Sequence, residues 1–296
     1  MTPVQIAVST FEILLLIAGA ALLGRALRRR DLRAGWLHSS RLPRWPVAVF
    51  EFLLLIFIIL NTALFAQAGV RALWGPSIQT ATDREGWEVI AYGLAFHGSS
   101  LLCWLAFWAL RRARRKRRFA MAAEAQPPPG EPAMDPTTTF AHHPVRTALV
   151  AFLAVIPILT VTSLGWSALL RACGLPDERQ DIIDIFAHTG SPFIVTGIVL
   201  LATVIAPLNE ELLFRAGIYR FLRDRISRPV ALLLSSIIFA SLHANLASFL
   251  PLTLLGLTLA LAYENSGSLA SPVILHSLFN LNTSLIVLTG LPELSP

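Results

Sequence analysis

The chain has 296 residues, 55% of them hydrophobic and only 14% charged, with a mean hydropathy of +0.64. A water-soluble domain carries about a quarter charged residues, so this composition excludes an ordinary soluble protein and points to the bilayer. The net charge of +6 does not mark a nucleic-acid binder. Seven arginines between Arg25 and Arg44, and seven basic residues between Arg111 and Arg118, directly follow long apolar runs. Cytoplasmic anchors look like this, and no nucleic-acid partner is expected.

A helix crossing the hydrocarbon core needs about 20 mostly apolar residues. Eight segments qualify in chain order: 4–24, 47–69, 87–110, 147–170, 196–220, 229–249, 250–263 and 269–289. The expected fold is therefore all-α, a polytopic integral membrane helix bundle of about eight transmembrane helices. The first segment has no basic stretch ahead of it and no convincing cleavage site, so it reads as a retained span rather than a signal peptide. The first four segments are clear. The last four are interrupted by polar residues, and the seventh is short. Trp45, Trp74, Trp87, Trp108 and Trp166 fall near span ends, where aromatic belts form. Cys103 and Cys173 have no CxxC partner, which argues against a disulfide framework or a thiolate metal site.

Composition divides the chain into three parts. Residues 1–120 form an N-terminal three-span membrane region. Residues 121–146 form a flexible linker, with "AQPPPGEPAMDPTTTFAHHP" at 125–144 rich in proline and polar residues. His142 and His143 in it read as solvated. Residues 147–296 form a C-terminal membrane core. The loops at 25–46, 111–146 and 221–228 are rich in arginine, while the loop at 171–191 is mostly acidic. The positive-inside rule then puts the basic loops in the cytoplasm and both termini outside it. The expected location is a plasma membrane, a bacterial inner membrane.

Ionisable groups at membrane depth are expensive and usually serve a function. In the C-terminal spans these are Glu210, Glu211, Arg215, His243 and His276, with Asn280 as a polar companion. "PLNEELLFRAGIYRFL" continues an apolar pattern to Leu222, so a helix ending there puts Glu210 about 18 Å inside that end. Glu211 and Arg215 are four apart and share a face, which suits an ion pair. Glu210 points about 100° away and is the carboxylate free for chemistry. "FASLH" sets Phe239 and His243 on one face, and "HSLFN" does the same for His276 and Asn280. Each cluster alone also fits a bundle-stabilising polar pair. Together, a carboxylate and a histidine can activate water, while a second histidine and an amide can hold an oxyanion.

These three motifs, EExxxR, FxxxH and HxxxN, resemble in order and spacing those of the CPBP family of intramembrane glutamic endopeptidases, which includes the CAAX prenyl proteases. The resemblance covers about residues 196–285. It implies that Glu210 activates water with help from His243, that His276 and Asn280 stabilise the oxyanion, and that Glu211, Arg215 and Phe239 support the site. It implies no metal or other cofactor. The expected partners are the lipid bilayer and a membrane-associated or lipidated protein or peptide, cleaved at a peptide bond. Two readings compete. One is a metal-dependent protease with zinc on Glu210, His243 and His276. The other is a non-catalytic membrane scaffold or bacteriocin-immunity protein that keeps the motifs but acts by binding.

Overall fold

The computed structural model describes residues 1–29, 42, 45, 47–124, 143–177 and 191–291, with side chains omitted over 115–124. Most of the expected linker, 125–142, lies outside the described residues. Among the described residues eight helices follow in order: α1 Pro3–Arg28, α2 Val49–Gln79, α3 Arg84–Glu124, α4 Pro144–Ala172, α5 Pro192–Arg223, α6 Arg228–Ser241, α7 Leu246–Ser266 and α8 Ala270–Leu288. The protein is a polytopic helical membrane protein. Seven of these helices are long and apolar enough to cross a bilayer, and α6 is the exception.

Local chemistry explains the boundaries. Thr2 and Gln5 form a reciprocal capping box at the start of α1, with Pro3 in the first turn. Proline also opens α4, α5 and α6. Here the sequence expectation needs correction. The span expected at 229–249 ends at Ser241, and the short one at 250–263 is the full-length α7. Asn245 breaks the run: its Oδ1 accepts the Ser248 N–H at 2.9 Å and caps α7. Ala244 takes a positive φ of 50° in the turn between them.

A 14-residue α6 rises only about 21 Å, less than a bilayer core of about 30 Å. The turn 242–245 therefore falls at membrane depth. Non-helical backbone is tolerated there only inside protein or against a cavity, and this turn borders the cavity described below.

The centre of the bundle is α4, packed against α1, α7 and α8. Its Ala148, Phe152, Val155 and Leu159 join Phe214, Phe239, Leu255 and Leu275 in one buried cluster. Pro157 lacks an N–H, which removes the usual helical donor to the Leu153 carbonyl. A Cβ on Gly19 of α1 would lie 2.2 Å from that carbonyl oxygen. Only glycine lets the two backbones approach this closely.

The α2–α3 hairpin leans on α5. The buried cluster of Leu55, Ile59 and Trp104 packs on Leu212 and Leu213, and Gly93 leaves room for Leu201, whose side chain would lie 2.4 Å from a Cβ.

One end of the bundle gathers the arginines. Arg114 pairs with Glu51, Arg225 bonds the Val47 carbonyl, and Phe221 stacks on Phe52 at 3.9 Å. Glu264, fully buried at this end, accepts from Tyr219 Oη at 2.6 Å, Arg223 Nε at 3.2 Å and Arg228 Nε at 2.6 Å. This clasp ties the α5–α6 turn to α7. At the opposite end Gln5 Nε2 donates to Thr289 O at 3.0 Å, so the first and last helices meet there.

Gly19→Ala is expected to lower detergent-solubilised stability by about 1–3 kcal/mol, as overpacking does. Gly24→Ala, which meets nothing within 4 Å, should leave it unchanged. Thermal unfolding of the two variants side by side checks this.

Candidate active site

The site is built on an irregular stretch of α5. Leu201–Ile205 and Leu212–Tyr219 are π-helical, and the short α-helical piece Ala206–Glu211 between them carries both glutamates. Such widened turns concentrate at functional positions. Proline gives the first one a physical cause. The Ala206 N–H goes to Leu201 O, and Pro207 has no N–H to offer. The Ala202 carbonyl takes its hydrogen bond from Asn280 Nδ2 instead, at 2.8 Å. A motif side chain on α8 thereby completes the backbone of α5.

Glu211 and Glu210 occupy different worlds. The Glu211 side chain is 0% exposed and its Oε1 receives Arg215 Nη1 at 3.1 Å and His276 Nδ1 at 2.8 Å. Arg215, 3% exposed, also donates through Nη2 to Gly256 O at 3.3 Å and lies over the Phe239 ring, 4.6 Å from its centroid. Glu210 is 23% exposed. Its nearest recorded cationic partner is His276 Nε2, at 3.8 Å from Oε2, beyond hydrogen-bond range. Glu210 Oε2 accepts no hydrogen bond from the described residues.

Phe239 holds the two histidines. It is fully buried, with ring centroids 4.8 Å from His243 and 5.8 Å from His276. His243 lies just beyond the end of α6, not within a helix as the 229–249 span implied, yet it keeps its contact with Phe239. Its Nδ1 sits 2.9 Å from Phe239 O. A carbonyl can only accept, so Nδ1 is the donor, and in the neutral ring Nε2 carries the lone pair.

Glu210, His243, His276 and Asn280 line one cavity of about 590 Å³. His276 and Asn280 share a face of α8, and one polar group of each is already engaged within the protein. His276 Nδ1 is spent on Glu211, and one Asn280 N–H on Ala202 O. Each retains a second group, His276 Nε2 and the other Asn280 N–H.

Two residues escaped the sequence reading. His97 of α3 lines the same cavity, lies within electrostatic reach of Glu210, and accepts from Asn209 Nδ2 at its Nδ1 at 3.0 Å. Glu12 of α1 is 4% exposed and accepts from Asn282 Nδ2 at 3.3 Å. Both carried the signal that exposed the others, an ionisable group inside an apolar span. Both sit in the N-terminal half, where no motif directed attention.

The two glutamates should respond differently to neutralisation. Glu211→Gln leaves Arg215 buried without its counter-charge and should cost about 3–5 kcal/mol. Glu210→Gln should change stability by less than about 0.5 kcal/mol, as substitutions without special partners do. Unfolding curves in one detergent decide this.

Comparison with known proteins reaches the same segment through a family model. Residues 192–282 match a family model described as "Type II CAAX prenyl endopeptidase Rce1-like". Among curated proteins, an "Uncharacterized 24.3 kDa protein" of Escherichia coli is 32% identical over 127 residues, 41% of this chain and 58% of that protein. The "Putative membrane peptidase YdiL" of Bacillus subtilis (strain 168) is 29% identical over 104 residues, 35% of this chain and 40% of that protein. The "UPF0177 protein YxdF" of Lactococcus lactis subsp. lactis (strain IL1403) is 31% identical over 110 residues, 35% of this chain and 60% of that protein. The chain thus spans 40–60% of these relatives. No solved structure matches it. EExxxR, FxxxH and HxxxN stand in order within the matched residues 192–282, and residues of all three motifs border one cavity.

Proposed function

We propose that the protein is an intramembrane endopeptidase that hydrolyses a peptide bond of a membrane-associated protein or peptide, with Glu210 and His243 activating the water. The observation that carries this reading is the contrast within the glutamate pair. One carboxylate is buried and held at its Oε1 by Arg215 and His276, and its neighbour faces a cavity shared with His243. Glu210, with the Nε2 lone pair of His243, takes the proton from water as its oxygen attacks the carbonyl carbon. The C–N bond then breaks and the proton passes to the leaving nitrogen. His276 and Asn280 stabilise the oxyanion with the hydrogen-bonding groups they retain. For His276 this requires a proton on Nε2, the ring nitrogen that is not engaged with Glu211.

The reaction as proposed uses no metal. A zinc site would need three converging ligands. Among the described residues, no group of three His, Cys, Asp or Glu side chains is arranged to hold an ion, and His276 Nδ1 is already held by Glu211. The basic loops are proposed to face the cytoplasm of a bacterial inner membrane.

Termini of membrane proteins from cells expressing wild type or Glu210→Gln provide the test. New termini should accompany the wild type and fall at least 100-fold in the variant, within the range for loss of a general base. A biological effect that survives Glu210→Gln intact would favour a binding role instead. Treating the purified protein with a strong chelator should leave cleavage unchanged.

A further inference from the structure

The cavity around Glu210 is closed toward one end of the bundle and lined out to the surface at the other. Toward the arginine end its floor is a packed layer. Phe239, Leu255 and Leu275 are fully buried, Glu211 and Arg215 fill the space between them, and Tyr219 and Glu264 lie below. None of these side chains lines the cavity.

In the other direction the lining climbs α4 from Ser163 through Ser167 to Arg171, and climbs α8 from His276 and Asn280 to Val287. It ends at Arg171, whose side chain is 62% exposed and pairs with Asp177 at 2.8 Å. The mouth therefore lies on the face opposite Arg114, Arg223, Arg225 and Arg228. By the positive-inside rule that face is extracytoplasmic.

The walls indicate what enters. Ser163, Ser167, Asn245, Ser248, Thr283 and Ser284 border the cavity. Thr283 Oγ1 is buried and finds no hydrogen-bond partner among the described residues. These groups can pair with peptide amides, while Leu164, Ile198, Leu201, Leu252 and Phe279 give the same cavity apolar surface for side chains. From His276 to Val287, α8 rises about 17 Å. An extended chain covers that distance with about five residues.

We propose that the substrate is an extended polypeptide segment that enters from the extracytoplasmic face and reaches Glu210 with about five residues, rather than a tail presented from the cytoplasm. This rests on the reading of Glu210 as the hydrolytic base. The membrane side of the mouth can nevertheless be measured without any cleavage.

The test uses single cysteines in the full-length protein, in right-side-out and inside-out vesicles, with a membrane-impermeant methanethiosulfonate. Ser163→Cys and Ser167→Cys, each with Cys103→Ala and Cys173→Ala, report the wall. Native Cys173, exposed near the mouth, and Arg112→Cys mark the two ends. The wall positions and Cys173 should label from outside, and Arg112→Cys only from inside. Wall labelling only from the Arg112 side, or from neither side, overturns the proposal. The same pattern is expected on a Glu210→Gln background, so loss of the peptidase reading would leave it intact. In cells, Glu210-dependent cleavage sites should lie in extracytoplasmic segments. Sites confined to cytoplasmic tails would overturn the substrate class while preserving the peptidase.

Discussion

A single carboxylate oxygen organises the core. Glu211 Oε1 receives Arg215 from its own helix and His276 from α8, and Arg215 continues to the α7 backbone and the Phe239 ring of α6. Four helices therefore meet through one buried charge pair. Such pairs gain little net stability, because desolvation offsets the attraction. Their strength is conditional: removing either partner strands a charge where no water can reach it. The arrangement fixes the relative rotation of α5 and α8, and with it the side of α5 that Glu210 presents to the cavity.

The irregularity of α5 is part of the same device. Pro207 withholds one N–H just before the glutamates, and the helix widens. The carbonyl left over at Ala202 becomes an anchor for Asn280. A regular helix would have satisfied that carbonyl internally. The bond from α8 would then share its acceptor with a helical N–H, and the contact that holds Asn280 in place would be weaker. Local backbone chemistry and interhelical packing are thus one interaction seen from two sides.

Polar contacts elsewhere divide the labour. The Glu264 clasp closes the arginine end, joining the α5–α6 turn to α7 below the apolar floor. The short α6 and the Asn245 cap leave a turn at depth, which places His243 at the cavity without requiring it to sit on a helix. On the remaining side α3 supplies His97, so the N-terminal region forms part of the cavity wall. Glu12 does something comparable behind α8, where its bond to Asn282 ties α1 to the core.

Much of this was legible in the sequence. Hydropathy gave the helical membrane class and the course of α5 to its arginine-rich end, because a bilayer admits only backbones that satisfy themselves. The i, i+4 spacing gave the Glu211–Arg215 pair, since that geometry is local to one helix. The boundary between α6 and α7 was misplaced because apolar residues run through it, and only the Asn245 cap marks the break. What the tertiary structure decided was everything that depends on neighbours distant in sequence. His276 turns to Glu211, Asn280 turns to Ala202, and His97 arrives from a helix outside the motif region. The direction in which the cavity opens was decided there as well. Spacing specifies which side chains share a face; it cannot say which face meets which, because that choice belongs to the packing of the whole bundle.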